Sequence, residues 1–145
     1  DIYLPDFKYY YNELGKKYSN VENYFEIATK AIKEMYRQVG TPRLNGNGIM
    51  QKGLMIRHLI LPNQIENSKQ VLKWIKENLD NNIYVSIMAQ YFPTYKSKEL
   101  DELNRKLTKQ EYDEVENYLY ELDLDNGYIQ ELGEHEEEYV PKWNL

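Results

Sequence analysis

Four polar residues that interrupt apolar segments are the first candidates for chemistry in this sequence. Asp6 and Lys8 lie two residues apart at the end of an alternating segment, so their side chains share one face of a strand. The pair could hold a ribose hydroxyl, an amino-acid carboxylate or a monovalent cation, and it is equally an ordinary surface pairing. Arg57 and His58 stand inside an apolar run, where an unpaired charge is costly to bury. If Arg57 faces a polar space it can clamp a carboxylate or phosphate, and His58 is then a core histidine beneath a helix.

Two further groups of polar residues have both a functional and a structural interpretation. Gln90 shares a strand face with Ser86 and Met88, which together could offer a ligand a hydrogen bond and a soft contact. They could equally fill the interior of a barrel. His135 stands among four glutamates, and we interpret this run as a solvated acidic tail in preference to a metal site. The sequence has no glycine-rich phosphate loop, His-x-x-x-His pair or serine nucleophile motif.

Hydrophobic periodicity predicts alternating strands and helices that would position these residues. The predicted strands cover residues 1–9, 54–61, 83–91 and 128–132, and the predicted helices cover about 20–39, 67–79 and 108–122. Ser19 with Glu22 has the spacing of a capping box, and so does Thr108 with Glu111. Asn67 is the predicted N-cap of the middle helix.

The order of these elements predicts an α/β fold with a parallel sheet joined by right-handed crossovers. A closed (β/α)₈ barrel takes about 250 residues, and this chain has 145. We therefore expect residues 1–145 to be a single-domain fragment, the C-terminal half of a partial TIM barrel with about four strands and three main helices. The segment at the N-terminus reads as the middle of a strand, which favours a fragment. A cut barrel leaves an open face and an unpaired edge, so we expect the fragment to form homo-oligomers.

The composition excludes several classes of function. The formal net charge is −6 with an isoelectric point near 5.0, and no Lys/Arg cluster offsets it, so nucleic acid is not an expected partner. No apolar run approaches the roughly 20 residues of a membrane span, and we expect a cytoplasmic protein without a membrane partner. The chain has no cysteine, which excludes disulfides, thiolate catalysis and sulfur-ligated metal sites formed by this chain alone.

Four segments form a recognisable pattern along the chain, and they cover residues 3–8, 56–62, 86–91 and 127–131. Together they resemble radical S-adenosylmethionine (SAM) proteins related to the pyruvate formate-lyase activating enzyme. The resemblance implies that another half of the barrel supplies a Cys-x-x-x-Cys-x-x-Cys loop for a [4Fe-4S] cluster. It also implies that the complete oxidoreductase cleaves SAM to a 5′-deoxyadenosyl radical, which removes hydrogen from a partner such as a glycyl radical enzyme. The fragment alone is then expected to hold no cofactor and to be inactive.

The resemblance also assigns residues to SAM. Those it implies are Asp6, Lys8, Arg57, Leu59 and Gln90. Asp6 and Lys8 match an Asp-x-Lys element that approaches the ribose and the amino-acid part, and the backbone near Leu59 matches a position close to the adenine. Gln90 stands where the activating enzyme has a histidine, and Asn63 stands where a glycine often follows the proline. No catalytic residue and no metal ligand is assigned within this chain.

Two other classes of function remain open from the residues alone. One is a non-catalytic α/β module that captures a small anion between Arg57 and Lys8. The other is an accessory module whose exposed sheet edge pairs with another chain.

Overall fold

The protein is described by a computed structural model that covers residues 1–80, 82–89, 106–125 and 128–131. Within these residues the helices are α1 (Asn12–Ser19), α2 (Tyr24–Val39), α3 (Ile65–Asn78) and α4 (Lys109–Glu121). The strands are β1 (Ile2–Tyr3), β2 (Arg43–Leu44), β3 (Met50–Leu59), β4 (Tyr84–Met88) and β5 (Tyr128–Glu131). None of these helices is both long enough and apolar enough to cross a membrane.

Four strands form a parallel sheet in the order β1-β3-β4-β5, and β2 pairs with β3 in the antiparallel direction. The predicted α/β class and a sheet with four parallel strands are therefore confirmed. The first strand is shorter than predicted, because it covers only Ile2–Tyr3 of residues 1–9 and is followed by an isolated bridge at Asp6. The described residues also contain α1 and β2, which the sequence did not predict, so the expected count of three helices was too low. The parallel strands follow each other in the sheet as they do in the chain, and right-handed crossovers in such an order place the helices on one face.

The two faces of β3 differ in burial as this arrangement requires. Leu54 and Ile56 of β3, and Ile60 directly after the strand, are fully buried in one apolar core with residues of α2, α3 and α4. Met55 and Leu59, which point to the other face, are only half-buried. The sheet therefore has a covered face beneath the helices and a second face, called the open face below, that carries Arg57.

The start of α2 differs from the prediction. Ser19 is the last residue of α1, and its hydroxyl is hydrogen-bonded to that of Tyr9 at 2.8 Å, so the predicted capping box with Glu22 was wrong. The chain turns between the two helices through Asn20 and Asn23, both in the left-handed conformation with φ of 55° and 57°. Asparagine tolerates this conformation better than most residues, and Asn23 caps α2 without a side-chain hydrogen bond.

The other two predicted caps had opposite outcomes. Asn67 is not an N-cap, because α3 begins two residues earlier. Asn67 is the third residue of this helix, and it is buried. The capping box of α4 is confirmed: the Glu111 amide donates to the Thr108 side chain, and the Thr108 amide donates to the Glu111 carboxylate. Leu107 and Tyr112 on either side of this cap are buried.

The junction between β1 and β3 depends on Gly53. Its φ is 133°, and a Cβ added there would lie 2.4 Å from the Cα of Pro42. Its amide donates to the carbonyl of Asp1 at 3.1 Å, next to the pairing of Ile2 with Gly53. A residue with a side chain would meet both backbone strain and a steric clash at this position.

Candidate functional site at the carboxyl ends of the strands

Asp6 and Arg57 face each other where the chain leaves β1. The Phe7 amide donates to the Arg57 carbonyl and the Arg57 amide donates to the Pro5 carbonyl, each at 2.9 Å. These two bonds form a parallel bridge between Asp6 and Arg57. One guanidinium nitrogen of Arg57 lies 3.8 Å from a carboxylate oxygen of Asp6, and the two side chains are 34% and 44% exposed. The site thus contains an ion pair that water still reaches.

The side chain of Arg57 extends from the open face toward the end of β4. Its Nη2 lies 3.2 Å from the sulfur of Met88, and Met88 pairs in register with Leu59. Ser86, opposite Arg57 in the same register, is fully buried. Arg57, Leu59, Ser86 and Met88 are therefore neighbours at one end of the open face.

Lys8 lies two residues beyond Asp6. Phe7 between them is completely buried, whereas Asp6 and Lys8 are both exposed. Because side chains alternate between the two sides of extended backbone, this pattern puts Asp6 and Lys8 on the same side. Lys8 is therefore exposed to solvent on the same side of the chain as Asp6.

His58 points the other way, into the core. Its Nδ1 lies 2.7 Å from the Phe7 carbonyl and its Nε2 lies 2.7 Å from the Ser68 hydroxyl. A carbonyl can only accept, so Nδ1 carries the proton and Nε2 accepts from Ser68. Burial lowers the pKa of His58 to about 4, although the bond to Phe7 opposes this shift. His58 is a neutral core histidine beneath a helix, as the structural interpretation of the sequence predicted.

Two residues that the sequence did not assign to the site hold the backbone of this segment. The Lys8 amide donates to the Tyr24 hydroxyl at 2.8 Å, and that hydroxyl lies 3.4 Å from the Asp6 carbonyl. The side-chain amide of Asn67 donates to the Lys8 carbonyl at 2.9 Å and accepts from the Tyr10 amide at 2.8 Å. Asn67 therefore replaces a neighbouring strand for this part of the chain.

The loop after β3 is tied to the helix that follows β4. Asn63 has a φ of 64°, a left-handed conformation that glycine and asparagine accept most readily. Its amide donates to Oε2 of Glu111 at 2.8 Å, and the other oxygen of the same carboxylate accepts from Thr108. One side chain thus joins the loop after β3 to the N-terminus of α4.

Two of the predicted candidates cannot be compared with this geometry. Gln90 and His135 lie outside the described residues. In the described part of the chain, no group of three or more His, Asp or Glu residues could hold a metal ion.

The fold and the site together define an α/β protein with helices on one face of a mainly parallel sheet and a charged rim at the carboxyl ends of adjacent strands. Ligands of α/β proteins bind at this end of the strands. Here the rim offers a carboxylate, a guanidinium and an ammonium beside apolar surface, which suits a small ligand with both hydroxyl and anionic groups.

The chain is similar to an uncharacterized protein of Methanocaldococcus jannaschii, with 38% identity over 130 residues. The match includes 86% of this chain and 33% of that protein, so the chain spans about a third of its relative's length. No protein-family profile matches the chain. No solved structure matches it at a significant level.

Proposed function

We propose that this chain is the SAM-binding C-terminal half of a radical SAM activating enzyme related to the pyruvate formate-lyase activating enzyme. The observation that carries the proposal is the meeting of Asp6 and Arg57 in a water-accessible pair at the carboxyl ends of adjacent parallel strands. These residues belong to two of the segments that resemble the family. Lys8, from the first of these segments, is exposed on the same side of the chain as Asp6, and Leu59, from the second, lies at the same end of the open face as Arg57.

The residues present fit SAM by their chemistry. The exposed carboxylate of Asp6 can accept hydrogen bonds from ribose hydroxyls, and the ammonium of Lys8 can donate to the carboxylate of the amino-acid part. Half-buried Leu59 and Met88 offer apolar surface for the adenine. When bound to a reduced cluster, SAM supplies a 5′-deoxyadenosyl radical. The role of this chain would be to orient SAM and exclude water from one side of it.

The cluster itself does not fit this chain. Its ligands are thiolates, and the sequence contains no cysteine. In this proposal the ligands come from an N-terminal half of the barrel, which would also cover the open face of the sheet. The target, a glycyl radical enzyme or another protein, would bind the assembled barrel.

The alternative is a module that captures a small anion without catalysis. It is favoured by the exposed Lys8 and the partly exposed Arg57, two cations near the same edge. Asp6 argues against it, because its carboxylate lies 3.8 Å from the guanidinium and offsets the positive charge that would attract an anion.

The test is the affinity of the full-length protein for S-adenosylhomocysteine, measured by isothermal titration calorimetry without oxygen. Lys8→Ala removes a charge-assisted contact worth about 1.5–3 kcal/mol and should weaken binding roughly ten- to hundredfold. Asp6→Asn should weaken it comparably. Lys73→Ala is the matched control, since Lys73 is an exposed lysine on α3, the helix that covers the other face. Binding of inorganic phosphate without S-adenosylhomocysteine would favour the anion module, and binding of neither would refute both proposals.

A further inference from the structure

The segment that carries Asp6 and Lys8 is held mostly by side chains and only in part by strand pairing. β1 itself is two residues long. Beyond it, the bridge to Arg57 supplies two backbone bonds, at the Phe7 amide and the Pro5 carbonyl. The Phe7 carbonyl and both backbone groups of Lys8 are instead bonded by side chains from three different elements.

These three side chains are Tyr24 of α2, His58 of β3 and Asn67 of α3, and together they are called the backbone clamp. His58 accounts for the Phe7 carbonyl, Tyr24 for the Lys8 amide and Asn67 for the Lys8 carbonyl. Three different elements thus bond the backbone of the two consecutive residues Phe7 and Lys8. This arrangement fixes the backbone on both sides of buried Phe7, and so it fixes the direction in which Asp6 and Lys8 leave it.

We propose that Tyr24 is a positioning residue that, with His58 and Asn67, holds Asp6 and Lys8 in the geometry required by the ligand of this site. The inference rests on the proposed function for the identity of that ligand, an S-adenosyl compound. Tyr24 touches no ligand group in this proposal. It acts through the Lys8 amide and the Asp6 carbonyl, and its loss would let the segment shift without removing either charged group.

The chain offers a matched pair of variants for the test. Tyr9 and Tyr24 are neighbours, with ring centroids 5.1 Å apart in an edge-on arrangement. The hydroxyl of Tyr9 is bonded to Ser19 of α1, whereas that of Tyr24 is bonded to the Lys8 amide. Tyr24→Phe and Tyr9→Phe each remove one hydroxyl from the same aromatic cluster and leave its packing in place.

Two measurements on the full-length protein decide the proposal. Tyr24→Phe should weaken the affinity for S-adenosylhomocysteine about tenfold, the effect of one lost hydrogen bond in the positioning network. Tyr9→Phe should change the affinity less than twofold, although it should lower the thermal midpoint by about as much as Tyr24→Phe does. Amide hydrogen exchange at Lys8 should accelerate at least tenfold in Tyr24→Phe, and the Phe7 amide, bonded to the Arg57 carbonyl, is the internal control.

The outcomes separate the two proposals. If the unsubstituted protein binds and both variants bind equally well, the positioning role of Tyr24 is wrong and the ligand assignment stands. If the unsubstituted protein does not bind S-adenosylhomocysteine, the proposed function fails, and the Lys8 amide alone decides whether Tyr24 holds the segment. Unchanged exchange at Lys8 in Tyr24→Phe overturns the positioning role whatever the ligand.

Discussion

Acid should destabilise this protein through His58 at a pH where most carboxylates are still ionised. In the folded chain the ring is buried between the Phe7 carbonyl and the Ser68 hydroxyl, and its pKa is about 4. In the unfolded chain the ring returns to its ordinary pKa of 6.5. As the pH falls below that value, the His58 ring of the unfolded chain binds a proton, whereas the ring in the folded chain stays neutral. The free energy of unfolding therefore falls with decreasing pH.

The size of the effect follows from the two pKa values. The full difference corresponds to about 3 kcal/mol, reached only near the folded-state pKa. Between about pH 7.5 and about pH 5.5, where Asp and Glu contribute little, the expected loss is about 1.4 kcal/mol. A loss of this size is a large fraction of the 5–15 kcal/mol, roughly, that stabilises a typical domain.

Urea denaturation across this pH range measures the effect. An NMR titration of the folded protein should find the His58 ring neutral, with its proton on Nδ1, down to about pH 5. The variant His58→Gln should be less stable at neutral pH but should lose little further stability on acidification. His135→Gln is the control, because His135 is the other histidine of the chain.

Two results would refute this reasoning. One is a His58 ring that titrates near its ordinary pKa while the protein stays folded, since burial would then not disfavour the charged form. The other is a pH dependence that persists in His58→Gln and disappears in His135→Gln.

Three further predictions concern the fold. Gly53→Ala should destabilise the chain by more than about 2 kcal/mol in thermal denaturation, because φ is 133° and the new Cβ would meet Pro42. Gly46 is the control: an added Cβ has nothing within 4 Å there, so Gly46→Ala should change stability by less than about 0.5 kcal/mol. Thr108→Ala should cost about 1 kcal/mol through loss of the capping bond to Glu111, and a urea midpoint equal to that of the unsubstituted chain would contradict the cap. Sedimentation of the isolated chain should show a dimer or larger species, because the open face and the sheet edge can pair with a second copy. A monomer at high concentration would argue against such association.

The elements with strong apolar periodicity could be predicted from the sequence. The centre of β3 was recognisable because its apolar run is stopped by Pro62, and α4 because Thr108 and Glu111 form a local capping box. Interactions of this kind lie within a few residues of each other. The separation of Arg57 and His58 onto opposite faces also followed from the alternation of a strand.

Contacts between distant residues could not be predicted in the same way. Asn67 was interpreted as a cap because asparagine favours caps, but its partners are Lys8 and Tyr10, 59 and 57 residues away. One signal could have found it. Asn67 precedes Val71 by four residues, on the apolar face of α3, where a polar side chain must have a buried partner.

The contact between Glu111 and Asn63 would affect the entropy of binding for a ligand of the proposed site at this edge. The carboxylate links the loop after β3 to the first turn of α4, and the same side chain completes the cap of that helix. Ordering a mobile loop around a ligand costs free energy, and that cost reduces affinity. A loop that is already held in place in the free protein loses less conformational entropy on binding. The free energy of each contact with the ligand would then be offset less by the cost of ordering the loop, and the affinity would be higher.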